Sequence, residues 1–485
     1  MAHKHFRILL AHSNMLKNDS KQAKKMKPYP PLATIQAASI LRDNGFEVAL
    51  FDPTFDQDLD ELDKLLGSFC PDLVVVYEDF FNFITKMCLL HMRETALEIG
   101  RLARENGAVT IAASPDTSDH PEYYLDQVFD YALIGEADLA LLETCLALSE
   151  QRDPLASGVK GVAGLDSGGN LKKNPDRPLI KDLSELPMPA WDLVTIEPYR
   201  QAWLEKHNYF SLNMVSSRGC SYSCNWCAKP IWGENFAQRP AKLVAEELNC
   251  LVESFNPDHI WFADDNFVCG RDWIRDFDKY LSGNKPRVSY SIQSRADLLD
   301  PEVIEYLKSS GCSEVWLGAE SGSEKILRSM NKGVSIKQLR TASSELQKAG
   351  IRVCLFFQFG YPDEDFDDIL ASADLIREIF PDNIGVSVTY PLPGTRLYQS
   401  VCNRMGEQTH WNDSDDLAML FQGRYETPFY KKLHGVLHDE LELRHRLENA
   451  TENGEFRTAE LLKQVSRGWL ELGQMESTHR REKNN

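Results

Sequence analysis

The chain of 485 residues lacks any run of eighteen apolar residues, which excludes a helix long and apolar enough to span a bilayer. Its first apolar segment, residues 6–12, is too short for the core of a secretory signal and reads as a strand. Positive charge is scarce: 53 Lys and Arg stand against 73 Asp and Glu, a formal charge of −20. That balance argues against extended contact with nucleic acid, whose phosphates must be neutralised by cations. One basic run, Lys17, Lys21, Lys24, Lys25 and Lys27, is expected to be a solvated loop. Internal repeats and low-complexity tracts are absent. Of eleven cysteines, eight are scattered singly, the pattern of small buried hydrophobes in a cytoplasmic chain rather than of a disulfide framework. The other three are clustered.

What is present begins with an ordinary globular composition, 42% hydrophobic and 26% charged, in a chain long enough for two or three domains. Residues 1–150 alternate short apolar strands, at 6–10, 48–51, 73–77, 109–112 and 131–134, with helices at 32–44, 58–68, 87–106 and 139–149. Apolar strands separated by helices predict a parallel sheet covered on both faces, a doubly wound Rossmann-like α/β domain. Such a domain binds ligands at the carboxyl ends of its strands. Residues 151–205 carry glycines and then prolines, and read as a β-rich piece with an extended linker. From 206 to 400 the alternation resumes, with six strands at 211–216, 259–263, 288–293, 314–317, 353–358 and 384–390. Six βα units suit a partial (β/α)6 barrel. Residues 401–485 read as a helical C-terminal region, with helices at 428–449 and 455–474 and a polar tail from Glu476 expected to fray.

The chemistry concentrates in Ser217-Arg218-Gly219-Cys220-Ser221-Tyr222-Ser223-Cys224-Asn225-Trp226-Cys227, directly after the first strand of the second unit. Three thiolates within eight residues, on a loop of turn formers, can each reach a different iron of a cubane cluster. No fourth Cys is close in sequence, so one iron would stay open to a small molecule. Two other readings use the same residues. Cys224 and Cys227 could be half of a zinc knuckle completed by Cys220 and a distant His, or the cluster could be a plain electron-transfer centre with a remote fourth Cys.

The Cys-x3-Cys-x2-Cys loop, with Trp226 before the last Cys, resembles that of the radical S-adenosylmethionine superfamily. The resemblance implies a [4Fe–4S] cluster on Cys220, Cys224 and Cys227. Its open iron would bind S-adenosylmethionine, and reductive cleavage would release a 5′-deoxyadenosyl radical. It also marks later strand ends as contacts to the cosubstrate. Asp264 and Asp265 follow the second strand, where a helix cap is the plainer role for Asp265. Arg295 follows the third and suits a carboxylate. Glu320 and Ser321 stand in a turn like the family's ribose-binding one, Gly360 in one like its adenine-contacting turn, and Pro393 and Gly394 in one that passes beside the adenine. Trp226 completes this set.

The front domain is similar to that of the cobalamin-binding class of these enzymes, which includes the anaerobic oxidative cyclase of chlorophyll synthesis and hopanoid and antibiotic methylases. Pro30-Pro31-Leu32, Asp52 and Gly135-Glu136-Ala137-Asp138 carry the likeness. Two departures stand out: there is no D-x-H-x-x-G motif, and Ala112-Ala113-Ser114-Pro115-Asp116 replaces the usual glycine pair and histidine after the fourth strand. His12, His91 and His120 are the candidate cobalt ligands, each with an ordinary packing role as the alternative. The resemblance implies cobalamin as a further cofactor and methylation of an unactivated carbon, with oxidative ring closure or another radical rearrangement as the second reading. A cobalamin carrier or an iron–sulfur electron-transfer protein is the non-enzymatic reading. It implies anaerobic chemistry on a small-molecule substrate and a flavodoxin- or ferredoxin-type electron donor. The aromatics Trp411, Phe421, Tyr425, Phe429 and Tyr430 suggest either an apolar, ring-bearing substrate or plain core packing.

Overall fold

Two sheets organise the chain in a computed structural model that describes residues 6–227, 231–282, 288–448 and 455–484. The first sheet contains β1 (Arg7–Ala11), β2 (Glu47–Phe51), β3 (Leu73–Tyr77), β4 (Val109–Ala113), β5 (Tyr131–Leu133), β6 (Val162–Leu165) and β7 (Leu171–Lys173), in the order 2-1-3-4-5-6-7. Strands β1 to β5 are parallel. β3, Leu-Val-Val-Val-Tyr, is buried at all five positions, as a strand covered on both faces must be. The strand order reverses between β1 and β3, so a crevice opens there at the carboxyl ends.

The second sheet runs β8 (Ser211–Met214), β11 (His259–Phe262), β12 (Ser289–Ser294), β13 (Cys312–Glu320), β14 (Arg352–Phe359) and β15 (Asn383–Val388). Every pair is parallel, and β8 and β15 are not paired with each other. This is the open half-barrel that six βα units predict. A separate ribbon of β9 (Ser217–Gly219) and β10 (Phe236–Gln238) carries the cysteine loop.

Four expectations change. The glycine-rich piece is not a separate module: β6 and β7 add antiparallel strands to the edge of the first sheet, while the linker is strapped to the helix Leu32–Asp43 through Gln36 to Pro187 O, 2.8 Å, and Ala190 N to Ile35 O, 3.0 Å. The helix expected at 87–106 starts three residues later, after a break. Asn82 caps a short helix, Phe83–Lys86; Cys88 takes a left-handed conformation, φ +54°; a second helix then runs Leu90–Glu105. The break is stabilised from outside, because the Leu90 amide bonds Trp411 O at 2.9 Å. The tail does not fray at Glu476. The helix Glu455–Asn484 continues through it, and Glu476 is buried, facing Arg424 at 3.8 Å. Part of the lysine run, Lys21, Lys24 and Lys25, lies in a helix, Ser20–Lys25, capped by Asp19, and not in a loop.

The two sheets meet with their carboxyl ends facing. Phe81, past β3, stacks on Trp232 of the cysteine loop at 5.5 Å and 16°. Lys86 pairs with Asp265 at 2.7 Å. Arg218 of β9 reaches Glu136 and, at 2.8 Å, Asp138 beyond β5, all three buried. Residues 402–426 form an irregular strap that returns to the front domain through Ser414 on Asp19 and His410 on Asp116. Removing one partner of a buried ion pair leaves a charge stranded in a low dielectric. Arg218→Ala is therefore expected to cost about 3–5 kcal/mol, measured as a lower urea midpoint; an unchanged midpoint would dismiss the triad as a structural tie.

Candidate active site

The cysteine loop leaves the barrel at Gly219, whose φ of +73° only glycine adopts readily. A Cβ there would also stand 2.2 Å from Asn235 O, so the loop can close only over glycine. Its far side is tied down by Asn225: its amide donates to Met330 O at 2.9 Å, its carbonyl accepts from Leu397 N at 2.9 Å, and its side chain donates to Ser329 O at 2.8 Å. Asn331 donates to Ser223 O at 2.8 Å. Cys220, Cys224 and Cys227 are all partly exposed and carry no disulfide. Among the described residues the three sulfurs do not gather within 4.8 Å of one another. Zinc–sulfur bonds of roughly 2.3 Å would hold them within about 4 Å, whereas thiolates on separate irons stand further apart. Three thiolates on one loop are a donor set that fits a cluster.

Arg295 and Lys332 carry positive charge toward the loop. The Arg295 guanidinium lies 3.6 Å over the Tyr222 ring, donates to Asp297 at 3.0 Å and to Lys332 O at 2.8 Å. Burial works against its charge, but Asp297, Cys224 and Tyr222 outweigh burial and leave its pKa raised. The same opposition, with Glu320 and Cys224 winning, holds Lys332 protonated. Two buried cations thus lie beside the cysteine loop.

The remaining predicted contacts divide. Glu320 ends β13 at φ +60°, a strained conformation for a residue with a side chain, and its Oε1 accepts from Lys332 Nζ at 2.7 Å. Gly318 makes room for that pair, since a Cβ would meet Nζ at 2.6 Å. Lys332 escaped the sequence reading; the only signal was a lysine before Gly333, twelve residues past Glu320. Ser321 Oγ accepts from Ser323 N at 3.1 Å and lies 3.3 Å from Ser372 Oγ, so it braces the turn. Gly360, φ +83°, faces Met419 and Tyr430 and gives its amide to Glu364 at 2.7 Å. Pro393 and Gly394, φ +77°, precede the helix Arg396–Val401, and the bond from Leu397 to Asn225 brings that turn beside the cysteines. Trp226 packs with Ile326, Tyr361 and Leu397, and its buried Nε1 has no hydrogen-bond partner.

The two aspartates are otherwise engaged. Asp264 lies beneath the loop, accepting from Ser216 N at 3.1 Å, Ser216 Oγ at 2.8 Å and Ser217 Oγ; Asp265 faces Lys86. The five aromatics of the C-terminal region are core: each is at most 5% exposed, and Tyr425 stacks on Phe429 at 4.0 Å.

In the front domain a small cavity between the ends of β3 and β4 and the helix Leu90–Glu105 is lined by Ser13, Glu78, Cys88, Arg93, Ser114 and Asp116, among others. Glu78 Oε1 accepts from Ser13 N at 3.0 Å, while its Oε2 and Ser13 Oγ are buried without a hydrogen bond of normal geometry. None of the candidate histidines lines that cavity. His12 contacts Asp52 at 2.9 Å and Asn14 N at 3.2 Å, occupying both ring nitrogens. His91 is 3.9 Å from Asp19, and His120 packs against His410.

Residues 214–376 match the model of the radical SAM superfamily. They form a radical SAM domain. Such a domain works with a [4Fe–4S] cluster and S-adenosylmethionine. Beyond it, the chain is 26% identical to an uncharacterized methyltransferase of Pyrococcus horikoshii, over 79% of this chain and 81% of that protein. It is 22% identical to the anaerobic magnesium-protoporphyrin IX monomethyl ester cyclase of Rubrivivax gelatinosus, over 82% and 70%. Among solved structures it resembles the radical S-adenosylmethionine methyltransferase TsrM of Kitasatospora setae, solved with cobalamin and a [4Fe–4S] cluster, at a TM-score of 0.66 and 19% identity, covering 82% of this chain and 78% of that one.

Two predictions follow from the radical SAM domain. Gly219→Ala should lower the iron bound per chain and the visible cluster absorbance severalfold, while Gly67→Ala, in a front-domain helix with open space around it, should not. Burial pushes the Glu364 carboxyl up to about 8, so its neutral form belongs to the folded state. Its contribution is present below the unfolded value near 4.5 and is lost as pH rises through 8. Stability should fall by roughly 3 kcal/mol between pH 5 and 8 from this group, and Glu364→Gln should flatten that fall in thermal melts.

Proposed function

We propose that this chain is a radical S-adenosylmethionine enzyme that uses cobalamin to methylate an unactivated carbon of a small-molecule substrate. The observation that carries this reading is the apposition of the two strand-end sites: the Phe81–Trp232 stack and the Lys86–Asp265 pair set the β1/β3 crevice opposite the cysteine loop. A substrate between them would meet both cofactors. Cys220, Cys224 and Cys227 would hold the cluster. Trp226, Arg295, Glu320, Ser321, Gly360, Pro393 and Gly394 would surround the cosubstrate, with Asp264 and Asp265 supporting the loop and the domain contact. When bound, the cluster supplies the electron for reductive cleavage of S-adenosylmethionine, and cobalamin supplies a transferable methyl group. The chain's own part is to orient these groups and exclude water. At the front-domain strand ends, Ser13 and Glu78 are polar side chains that would face cobalamin.

Oxidative ring closure is the second reading, favoured by the cyclase relative that matches 82% of the chain. A cytoplasmic setting and a flavodoxin- or ferredoxin-type electron donor belong to the same proposal. The test is anaerobic reconstitution followed by dithionite reduction with S-adenosylmethionine. Formation of 5′-deoxyadenosine, abolished in Cys224→Ala, is expected; no product with an intact cluster would refute the enzyme reading in favour of a carrier or an electron-transfer protein. One cobalamin retained per chain, weakened at least tenfold by Glu78→Leu, is expected as well. Failure to retain any corrin would defeat the cobalamin part.

A further inference from the structure

Residues 79–89, which follow β3, reach from the front domain across the mouth of the half-barrel. They touch three of its strand ends. Phe81 stacks on Trp232 of the cysteine loop, beyond β8, at 5.5 Å. Lys86 pairs with Asp265, beyond β11, at 2.7 Å. Phe83 meets Tyr390, beyond β15, with ring centroids 6.5 Å apart at 65°. Because β8 and β15 are the two edges of the open sheet, these contacts carry the segment from one side of the mouth to the other.

Within this segment Phe83 alone is exposed, at 56%, while Phe81, Ile84 and Thr85 are each at most 8% exposed. Its backbone is held on both sides. Asn82 caps the short helix that Phe83 opens, accepting from Ile84 N at 3.0 Å, and the Leu90 amide ends the segment on Trp411 O at 2.9 Å. A single exposed apolar side chain is ordinary on an outer surface, but this one stands between two domains, beside a tyrosine of the other. That tyrosine is itself backed. Tyr390, 9% exposed, meets the buried Trp411 ring edge-on at 5.0 Å and 90°, and Trp411 Nε1 donates to Ala418 O at 2.9 Å. Trp411, Tyr390 and Phe83 thus form an edge-to-face series, the arrangement in which aromatic quadrupoles attract. The series is anchored at Trp411 and open at Phe83, where a further ring would extend it.

We propose that Phe83, backed by Tyr390 and Trp411, is a specificity-determining contact that packs against an apolar, ring-bearing part of the substrate at the mouth of the barrel. The word substrate rests on the enzymatic reading above; the apolar site itself does not. The test is fluorescence titration of the full-length protein with the neutral aromatic probe N-phenylnaphthylamine, with neither S-adenosylmethionine nor cobalamin present. Saturable binding is expected, kept in Phe83→Tyr and weakened about fivefold or more in Phe83→Ala, with thermal melts unchanged because the ring is exposed. Tyr280→Ala removes a similarly exposed ring, 47%, from the outer helix Arg271–Leu281 and should leave the affinity as it was. Absence of saturable binding would overturn the proposal, as would an affinity unchanged in Phe83→Ala or lowered equally in Tyr280→Ala. Displacement of the probe by decanol at a lower concentration than by naphthol would refute the ring-bearing class. Because neither cofactor takes part, failure to form 5′-deoxyadenosine or to retain a corrin leaves this result standing, and the reverse.

Discussion

The arrangement turns on the buried guanidinium of Arg218. It stands two residues before the first cysteine, in the ribbon that launches the loop, and it is neutralised by Glu136 and Asp138 from the far domain. The three are at most 6% exposed, so none can be given up to water, and a buried charge tolerates its partners in only one geometry. Trp232 extends the contact, its Nε1 3.4 Å from Glu136. The position of the cysteines relative to the β1/β3 crevice is thus set by electrostatics and not by the linker, whose length alone would allow many placements. Glu136 and Asp138 belong to the Gly-Glu-Ala-Asp turn, and Arg218 to the Ser-Arg-Gly-Cys turn. These two short motifs, eighty residues apart, are halves of one junction.

The site is cationic beneath and constrained above. Lys332 and Arg295 lie beside the loop, each paired with an acid, Glu320 and Asp297. That coupling places the positive left-handed turn at Glu320 among structural requirements: its side chain must point at Lys332, and Gly318 must lack a Cβ for the pair to fit. Any ligand that engages Glu320 therefore competes with, or shares, an existing ion pair.

Much of this was legible in the sequence, for physical reasons. Apolar runs bounded by helices forced two parallel sheets, because only a sheet buried on both faces needs Val75 and Val353 to be apolar together with their neighbours. The cysteine spacing announced the cluster loop because ligand reach is local. What stayed hidden depends on contacts between distant parts. Asp265 reads as a ligand or cap until Lys86, 179 residues earlier, is seen beside it. The break at Cys88 depends on Trp411, and the order of the tail depends on Arg424 and Tyr425. Polar composition alone describes neither, since a polar helix is stable when a neighbour supplies the apolar seam.

The strap from 402 to 426 has a consequence in time. It returns to the front domain through Trp411, His410 and Ser414, yet its residues follow β1 and β3 by more than three hundred positions. Domains fold in the order in which they leave the ribosome. The front domain accordingly emerges unroofed, and its crevice is completed only when the last fifth of the polypeptide has been translated, which leaves an interval in which a large cofactor can enter before the wall is built behind it.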